Sequence, residues 1–199
     1  MQPYDPRTAL VVVDVQNDFA DPAGSLAVAG GNQIVPIVNT EVGAATSAGA
    51  LVAYTQDWHP AHTPHFAQDG GVWAVHCVAG SWGAFFHPDL VVAGPTVRKG
   101  SNGEDGYSGF TMRDPVNGQE HPTELEALLR ARSVERVFVC GLATDYCVKA
   151  TAMDAARLGF DTVVLRDAVR AVELGAGDGA RALDEMTAAG VRIAASAAS

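Results

Sequence analysis

The chain has 199 residues, 48% of them hydrophobic and 18% charged, with a formal net charge of −10. That length and apolar content fit a single domain over residues 1–199 with a sizeable core, and they exclude a disordered chain. A uniformly acidic chain repels phosphate backbones and anionic lipids, so neither nucleic acid nor membrane is expected as a partner.

The N-terminal stretch up to Asp14 lacks the basic-then-apolar order of a signal peptide, and no apolar run is long enough to span a bilayer. Its short apolar run predicts a first strand, Ala9–Val13, running into Asp14. A helix is expected over Gln33–Ser47, with Gly49 where a C-cap belongs. Leu51–Thr55 reads as the second strand. The rhythm then breaks in Gln56–Pro95, a long segment rich in Gly, Pro, His and aromatics. A short third strand, Thr96–Arg98, runs into Lys99. A second irregular segment, Gly100–His121, follows. Loops of that length in a compact domain usually carry function. Beyond them the pattern predicts a helix at Pro122–Ala131, a strand at Arg136–Cys140 and a helix at Asp145–Leu158 ending at Gly159. A strand at Thr162–Leu165, a helix at Asp178–Ala189 ending at Gly190 and a strand at Val191–Ala194 complete the series. The alanine-rich tail after Ile193 is expected to fray. Near-continuous apolar strands alternating with helices specify an α/β fold: a three-layer α/β/α sandwich around a mostly parallel, doubly wound sheet of about six strands.

The three cysteines, Cys77, Cys140 and Cys147, show no paired spacing. This argues against a disulfide framework and a CxxC zinc site, and for a reducing, cytoplasmic compartment. Cys140 lies inside a strand and reads as core, and Cys77 reads as packing. Cys147 stands at a strand-to-helix turn, where free backbone N–H groups and the helix dipole tend to acidify a thiol. Asp14, Lys99 and Cys147 all lie just beyond apolar strands. In open α/β sheets ligands bind beyond the carboxyl ends of the strands, where strand order reverses. If the first and fourth strands are neighbours, the three residues converge as base, counter-charge and nucleophile, a set suited to acyl transfer. Singly, each has a plainer reading: a turn cap, a solvated lysine, a small core residue.

Asp57 and His59 lie two apart on an extended segment and so share a face. His65 and His76 follow in the same loop. This mixed nitrogen and oxygen set suits one divalent metal ion, Zn²⁺, Fe²⁺ or Mn²⁺. The spacing is not a zinc-finger pattern, and loop histidines also occur without metals. His62 is an alternative ligand. His87 and His121 each precede a proline and read as turn residues. Phe19, Trp73, Tyr107 and Tyr146 flank the polar set and can either sandwich a flat ring or pack for stability.

These segments resemble a known family. The anchors are Asp14-Val15-Gln16-Asn17-Asp18-Phe19, Asp57-Trp58-His59, Trp73-Ala74-Val75-His76-Cys77, His87-Pro88, Arg98-Lys99-Gly100, Tyr107-Ser108-Gly109-Phe110 and Gly141-Leu142-Ala143-Thr144-Asp145-Tyr146-Cys147-Val148. In that order they resemble the isochorismatase-like cysteine hydrolases, and within them the nicotinamidases, also known as pyrazinamidases. The resemblance implies the isochorismatase-like fold and a catalytic triad of Asp14, Lys99 and Cys147. It implies metal ligands Asp57, His59, His65 and His76, a cis peptide between Leu142 and Ala143, and an oxyanion hole from the N–H groups of Ala143 and Cys147. It also implies a substrate pocket of Phe19, Trp73, Tyr107, Leu142 and Tyr146. The implied substrate is a small pyridine carboxamide, hydrolysed through a thioester in NAD salvage; a homo-oligomer is compatible with it. Two segments depart from the family pattern: Tyr146, where many relatives carry His, and Ala74-Val75, where prolines are frequent. Three rival readings remain: a cysteine amidase for an N-carbamoyl or ureido compound, an isochorismatase proper, and a catalytically silent scaffold.

Overall fold

The computed structural model describes residues 4–196. In chain order the elements are β1 (Thr8–Val13), α1 (Asn17–Ala20), α2 (Val35–Ser47), β2 (Leu51–Asp57), β3 (Thr96–Lys99), β4 (Thr111–Arg113), β5 (Glu120–Pro122), α3 (Leu125–Ala131), β6 (Arg136–Leu142), α4 (Lys149–Arg157), β7 (Asp161–Arg170), α5 (Asp178–Ala188) and β8 (Arg192–Ala194). Six strands form one sheet in the order β3-β2-β1-β6-β7-β8, and every neighbouring pair in it is parallel.

All six residues of β1 are buried, as a strand covered on both faces requires. Its side chains alternate between two cores. Leu10 and Val12 pack with Val35, Val38 and Val42 of α2 on one face. Ala9, Val11 and Val13 pack with Leu125 and Leu129 of α3, Ala152 and Ala155 of α4 and Met186 of α5 on the other. This alternation, with its period of two, makes the three layers. Truncating a fully buried leucine such as Leu10 to alanine costs about 2–5 kcal/mol.

The six expected strands and four expected helices are all present, and the α/β/α reading holds. Gly49, Gly159 and Gly190 adopt left-handed φ values of 75°, 86° and 90° just beyond their helices. Several local details differ. The segment Gly100–His121 is not all loop, because β4 and β5 pair as an antiparallel hairpin. Its turn closes where Asp114 Oδ1 accepts the N–H groups of Val116 and Asn117. His121 therefore lies in a strand rather than a turn, and α3 starts at Leu125 instead of Pro122. There Thr123 Oγ1 accepts the Leu125 N–H at 3.1 Å. The predicted helix from Asp145 opens as one π-helical turn, Thr144–Val148, before α4 begins. β7 runs five residues past Leu165 through a register shift against β6. Finally, the tail is held as far as Ser196, whose N–H and Oγ donate to the Asp167 carboxylate at 2.7 and 2.5 Å; the expected fraying of residues 197–199 lies outside the described residues. Among the described residues no helix is long and apolar enough to cross a membrane.

Candidate active site and metal centre

β1 and β6 are neighbours, and the sheet runs from β1 toward β2 and β3 on one side and from β6 toward β7 and β8 on the other. Strand order thus reverses between β1 and β6, and the crevice there lies at the carboxyl ends of the strands. Asp14 follows β1 in the left-handed region, φ 48°, a conformation that aspartate tolerates better than most residues. Asp57 ends β2, Lys99 ends β3, and Cys147 lies in the π turn after β6. Thr55 Oγ1 donates to Asp14 Oδ1 at 2.6 Å.

The strand ends bring Asp14, Lys99 and Cys147 together. Lys99 is 1% exposed, and its Nζ lies 2.8 Å from both Asp14 Oδ2 and Asp57 Oδ1. The same ammonium is 3.5 Å from Cys147 Sγ and donates to the Tyr107 carbonyl at 3.2 Å. One buried cation thus serves two buried carboxylates. Gln16 clamps the end of β2. Its Nε2 donates to the carbonyls of Asp57 and Ala84, and its Oε1 accepts the Asp57 N–H, all at 2.8 Å.

The electrostatics follow from this geometry. Burial pushes the Asp14 carboxyl above its ordinary value against the pull of Lys99. Burial pushes Asp57 up as well, but Lys99 and then the nearby histidines outweigh it and hold that carboxyl low. For Lys99, burial alone would favour the neutral amine, and the two carboxylates reverse that and keep it protonated. Burial raises the Cys147 thiol well above the usual range; Lys99 opposes the rise, and Asp14 and Asp57 add to it. The expectation of an acidified thiol at a helix start is therefore corrected. Desolvation, with two adjacent carboxylates, raises this thiol despite the neighbouring ammonium and the nearby helix start.

His59, His65 and His76 converge on the same crevice, each offering a ring nitrogen within 4.8 Å of the others'. His59 is 3% exposed, and neither of its ring nitrogens has a hydrogen-bond partner. Leaving a buried polar group unpaired costs about 1–3 kcal/mol, which a bound cation would offset. The His65 ring stacks on His59 with centroids 5.0 Å apart. His65 Nδ1 lies 2.8 Å from Asp105 Oδ1, and His76 Nδ1 donates to the Ala74 carbonyl at 2.7 Å. Each of these two rings therefore keeps Nε2 for the cluster. Burial holds His76 down to about 4, so its imidazole is neutral, as a metal ligand must be. Asp57 Oδ2 is 3.9 Å from His59 Nε2. The residues fit a divalent cation. Gly100 makes the packing possible, because at φ 75° it passes so close to His59 that a Cβ there would stand 2.5 Å from Nδ1. His62 is not part of the cluster; its side chain is 79% exposed and pairs with Asp69.

A mostly apolar pocket opens onto both groups. Phe19, Trp73, Tyr107, Leu142 and Tyr146 line it with Ala143, and Asp57, His65, His76 and Cys147 supply its reactive and polar atoms. The pocket aromatics brace one another. Trp73 stands edge-on to Tyr146 at 4.9 Å, and its Nε1 donates to the Tyr107 hydroxyl at 3.0 Å. The Leu142–Ala143 peptide is cis. Cys140 and Cys77 are both fully buried, and His87 packs below the surface with its N–H on the Val15 carbonyl. Sequence reasoning passed over Thr55, Gln16 and Asp105. Gln16 stood in the Asp14–Phe19 anchor as a signal. Thr55 and Asp105 offered none, because their partners lie 41 and 40 positions away.

The chain is similar to known proteins over nearly its whole length. The family described as the isochorismatase domain matches residues 8–198. A nicotinamidase of Escherichia coli (strain K12) is 38% identical over 94% of this chain and 94% of its own. The crystal structure of a pyrazinamidase of Pyrococcus horikoshii in complex with zinc is 40% identical, with a TM-score of 0.84 over 96% of this chain and 99% of that one. The structure of PnC1 from L. infantum in complex with nicotinate is 37% identical, also with a TM-score of 0.84, over 96% of this chain and 93% of that one. The chain belongs to the isochorismatase family.

Proposed function

We propose that this member of the isochorismatase family is a nicotinamidase, hydrolysing nicotinamide to nicotinate and ammonia and accepting pyrazinamide as well. Nicotinate made this way returns to NAD salvage. One observation carries the reading: a buried Asp–Lys–Cys set and a three-histidine cluster meet at one aromatic-lined pocket, the first reaching it through Cys147 and the second through His65 and His76. The nicotinamidase, pyrazinamidase and nicotinate-bound relatives support the same substrate class.

In the proposed reaction the pyridine ring lies among Phe19, Trp73 and Tyr146, with its carboxamide carbon toward Cys147. Asp14 accepts the thiol proton as sulfur attacks. Burial raises both the thiol and the Asp14 carboxyl, so the carboxyl is a stronger base than an ordinary aspartate for the proton that leaves sulfur. The backbone N–H groups of Ala143 and Cys147 are assigned to the oxyanion; such donors are worth about 3–4 kcal/mol each. The C–N bond breaks as Asp14 returns the proton to nitrogen, so ammonia departs and a thioester remains. Asp14 then takes a proton from water, the hydroxide attacks the thioester, and nicotinate leaves as sulfur regains its proton. Throughout, Lys99 balances the charge that moves between Asp14 and Cys147. Asp57, His59, His65 and His76 would hold a divalent metal ion, Zn²⁺, Fe²⁺ or Mn²⁺, which when bound supplies an anchor for a ring nitrogen and thus positioning.

The test is ammonia release from nicotinamide, pyrazinamide and an N-carbamoyl amino acid by wild-type protein and Cys147→Ala. Turnover of the two ring amides, abolished in Cys147→Ala, is the expected result. Surviving turnover in the variant would exclude the thioester, and preference for the N-carbamoyl compound would reassign the substrate.

A further inference from the structure

The three histidines of the cluster are backed in three different ways. His59 has no hydrogen-bond partner at either nitrogen, with Asp57 Oδ2 no nearer than 3.9 Å to its Nε2, His76 leans on a backbone carbonyl, and His65 alone has a carboxylate within hydrogen-bond distance, Asp105 Oδ1 at 2.8 Å from Nδ1. Asp105 does not line the pocket and is not among the grouped ligand atoms. Its own position is fixed by β4. The N–H of Asp105 donates to the Arg113 carbonyl at 2.7 Å, and the N–H of Arg113 donates back at 2.5 Å. The Arg113 guanidinium stands 3.6 Å from Asp105 Oδ2, and the Gly106 N–H donates to Oδ1 at 2.8 Å. Two residues on, the same strut delivers the Tyr107 carbonyl to Lys99 and the Tyr107 ring to the pocket.

We propose that Asp105 is a positioning residue for the metal centre: held by the β4–β5 hairpin, it fixes the ring of His65 by accepting from Nδ1 and leaves Nε2 free to face the cation. The inference rests on the reading of His65 as a metal ligand. A carboxylate behind a ligating imidazole sets its tautomer and raises its basicity, and removing such partners costs about 10–100-fold in metal affinity. The hairpin is thereby tied to the reaction crevice, although none of its residues need touch substrate.

The experiment measures Zn²⁺ affinity by chelator competition, together with the melting temperature of the metal-free protein, in wild type, Asp105→Ala, Asp105→Asn and His59→Ala. Asp105→Ala should bind Zn²⁺ about 10–100-fold more weakly. Asp105→Asn keeps an acceptor oxygen but loses the charge, and should fall between. Melting of the metal-free protein should stay near wild type, because both hydrogen bonds to Arg113 are made by backbone and the side-chain ion pair with its guanidinium is long and partly exposed. Wild-type affinity in Asp105→Ala alongside lost binding in His59→Ala overturns the proposal and leaves the metal site standing. Wild-type affinity in His59→Ala too overturns the metal reading itself. A loss in Asp105→Ala matched by a fall in metal-free melting, with Asp105→Asn no better, would make Asp105 a mere support of the hairpin and also overturn it.

Discussion

The two halves of the crevice are built differently. Asp14, Asp57, Lys99 and Cys147 stand at or just past the ends of β1, β2, β3 and β6, where the ladder pairing that buries the sheet also sets the positions of the side chains. The Asp57–Lys99 register pair is itself part of the sheet. His59, His65 and His76 come from an irregular segment with no long strand or helix. Their placement depends on separate local supports: a glycine that lets the chain pass His59, a carboxylate behind His65, a carbonyl behind His76. Strand ends place groups through the fold as a whole, whereas a loop has to place each group individually. The strand half should therefore fail together, and the loop half piece by piece.

The largest expected effect lies in the strand half. Lys99→Met leaves two buried carboxylates without their shared cation, and breaking a buried pair by removing one partner costs about 3–5 kcal/mol. Both melting temperature and ammonia release should collapse; a variant that melts like wild type would show that the carboxylates had other partners. Next comes the loop half. His59→Ala should lower bound metal and weaken substrate binding while leaving the fold intact, because the ring it removes has no hydrogen bond to lose. Unchanged metal content would remove His59 from the ligand set and blur the distinction between the halves.

A pH profile separates them in another way. Asp14 is raised, so as pH falls it gains its proton earlier than an ordinary aspartate, and its base form is lost at higher pH. The acid limb of kcat/KM should lie above the ordinary aspartate range, and a limb at or below that range would exclude Asp14 as the base. The smallest effect is expected from Thr55→Val. It removes one hydrogen bond to Asp14, worth about 1.5–3 kcal/mol because the acceptor is charged. Since that bond holds the Asp14 carboxyl down, the acid limb should move further up. A downward move would contradict the assignment.

Much of the strand half was legible beforehand. Apolar runs such as Leu10–Val13 and Val137–Cys140 announce buried strands, and the residues that follow them are candidates for a crevice by position alone. Neighbouring placement of β1 and β6 was a condition in the sequence and became a fact only in the sheet. The loop half was legible as residue types, Asp57, His59, His65 and His76, but not as partners. His62 and His65 are three positions apart, the first only an alternative to the second as a ligand in sequence; one is exposed beside Asp69 and the other buried beside Asp105. The β4–β5 hairpin was missed because neither of its strands buries a residue, so neither carries an apolar run or an alternation to read.

The sequence by itself determined the layering and the inventory of reactive groups, since both follow from local patterns: hydrophobic period, capping glycines and motif order. Only the tertiary structure decided protonation and support. The Cys147 thiol looked acidic from its place at a helix start, and it is raised because Asp14, Asp57 and the surrounding core, all distant in sequence, exclude water and add negative charge. Desolvation and Coulomb interaction depend on distances through space, and those distances exist only once the sheet has closed around Lys99.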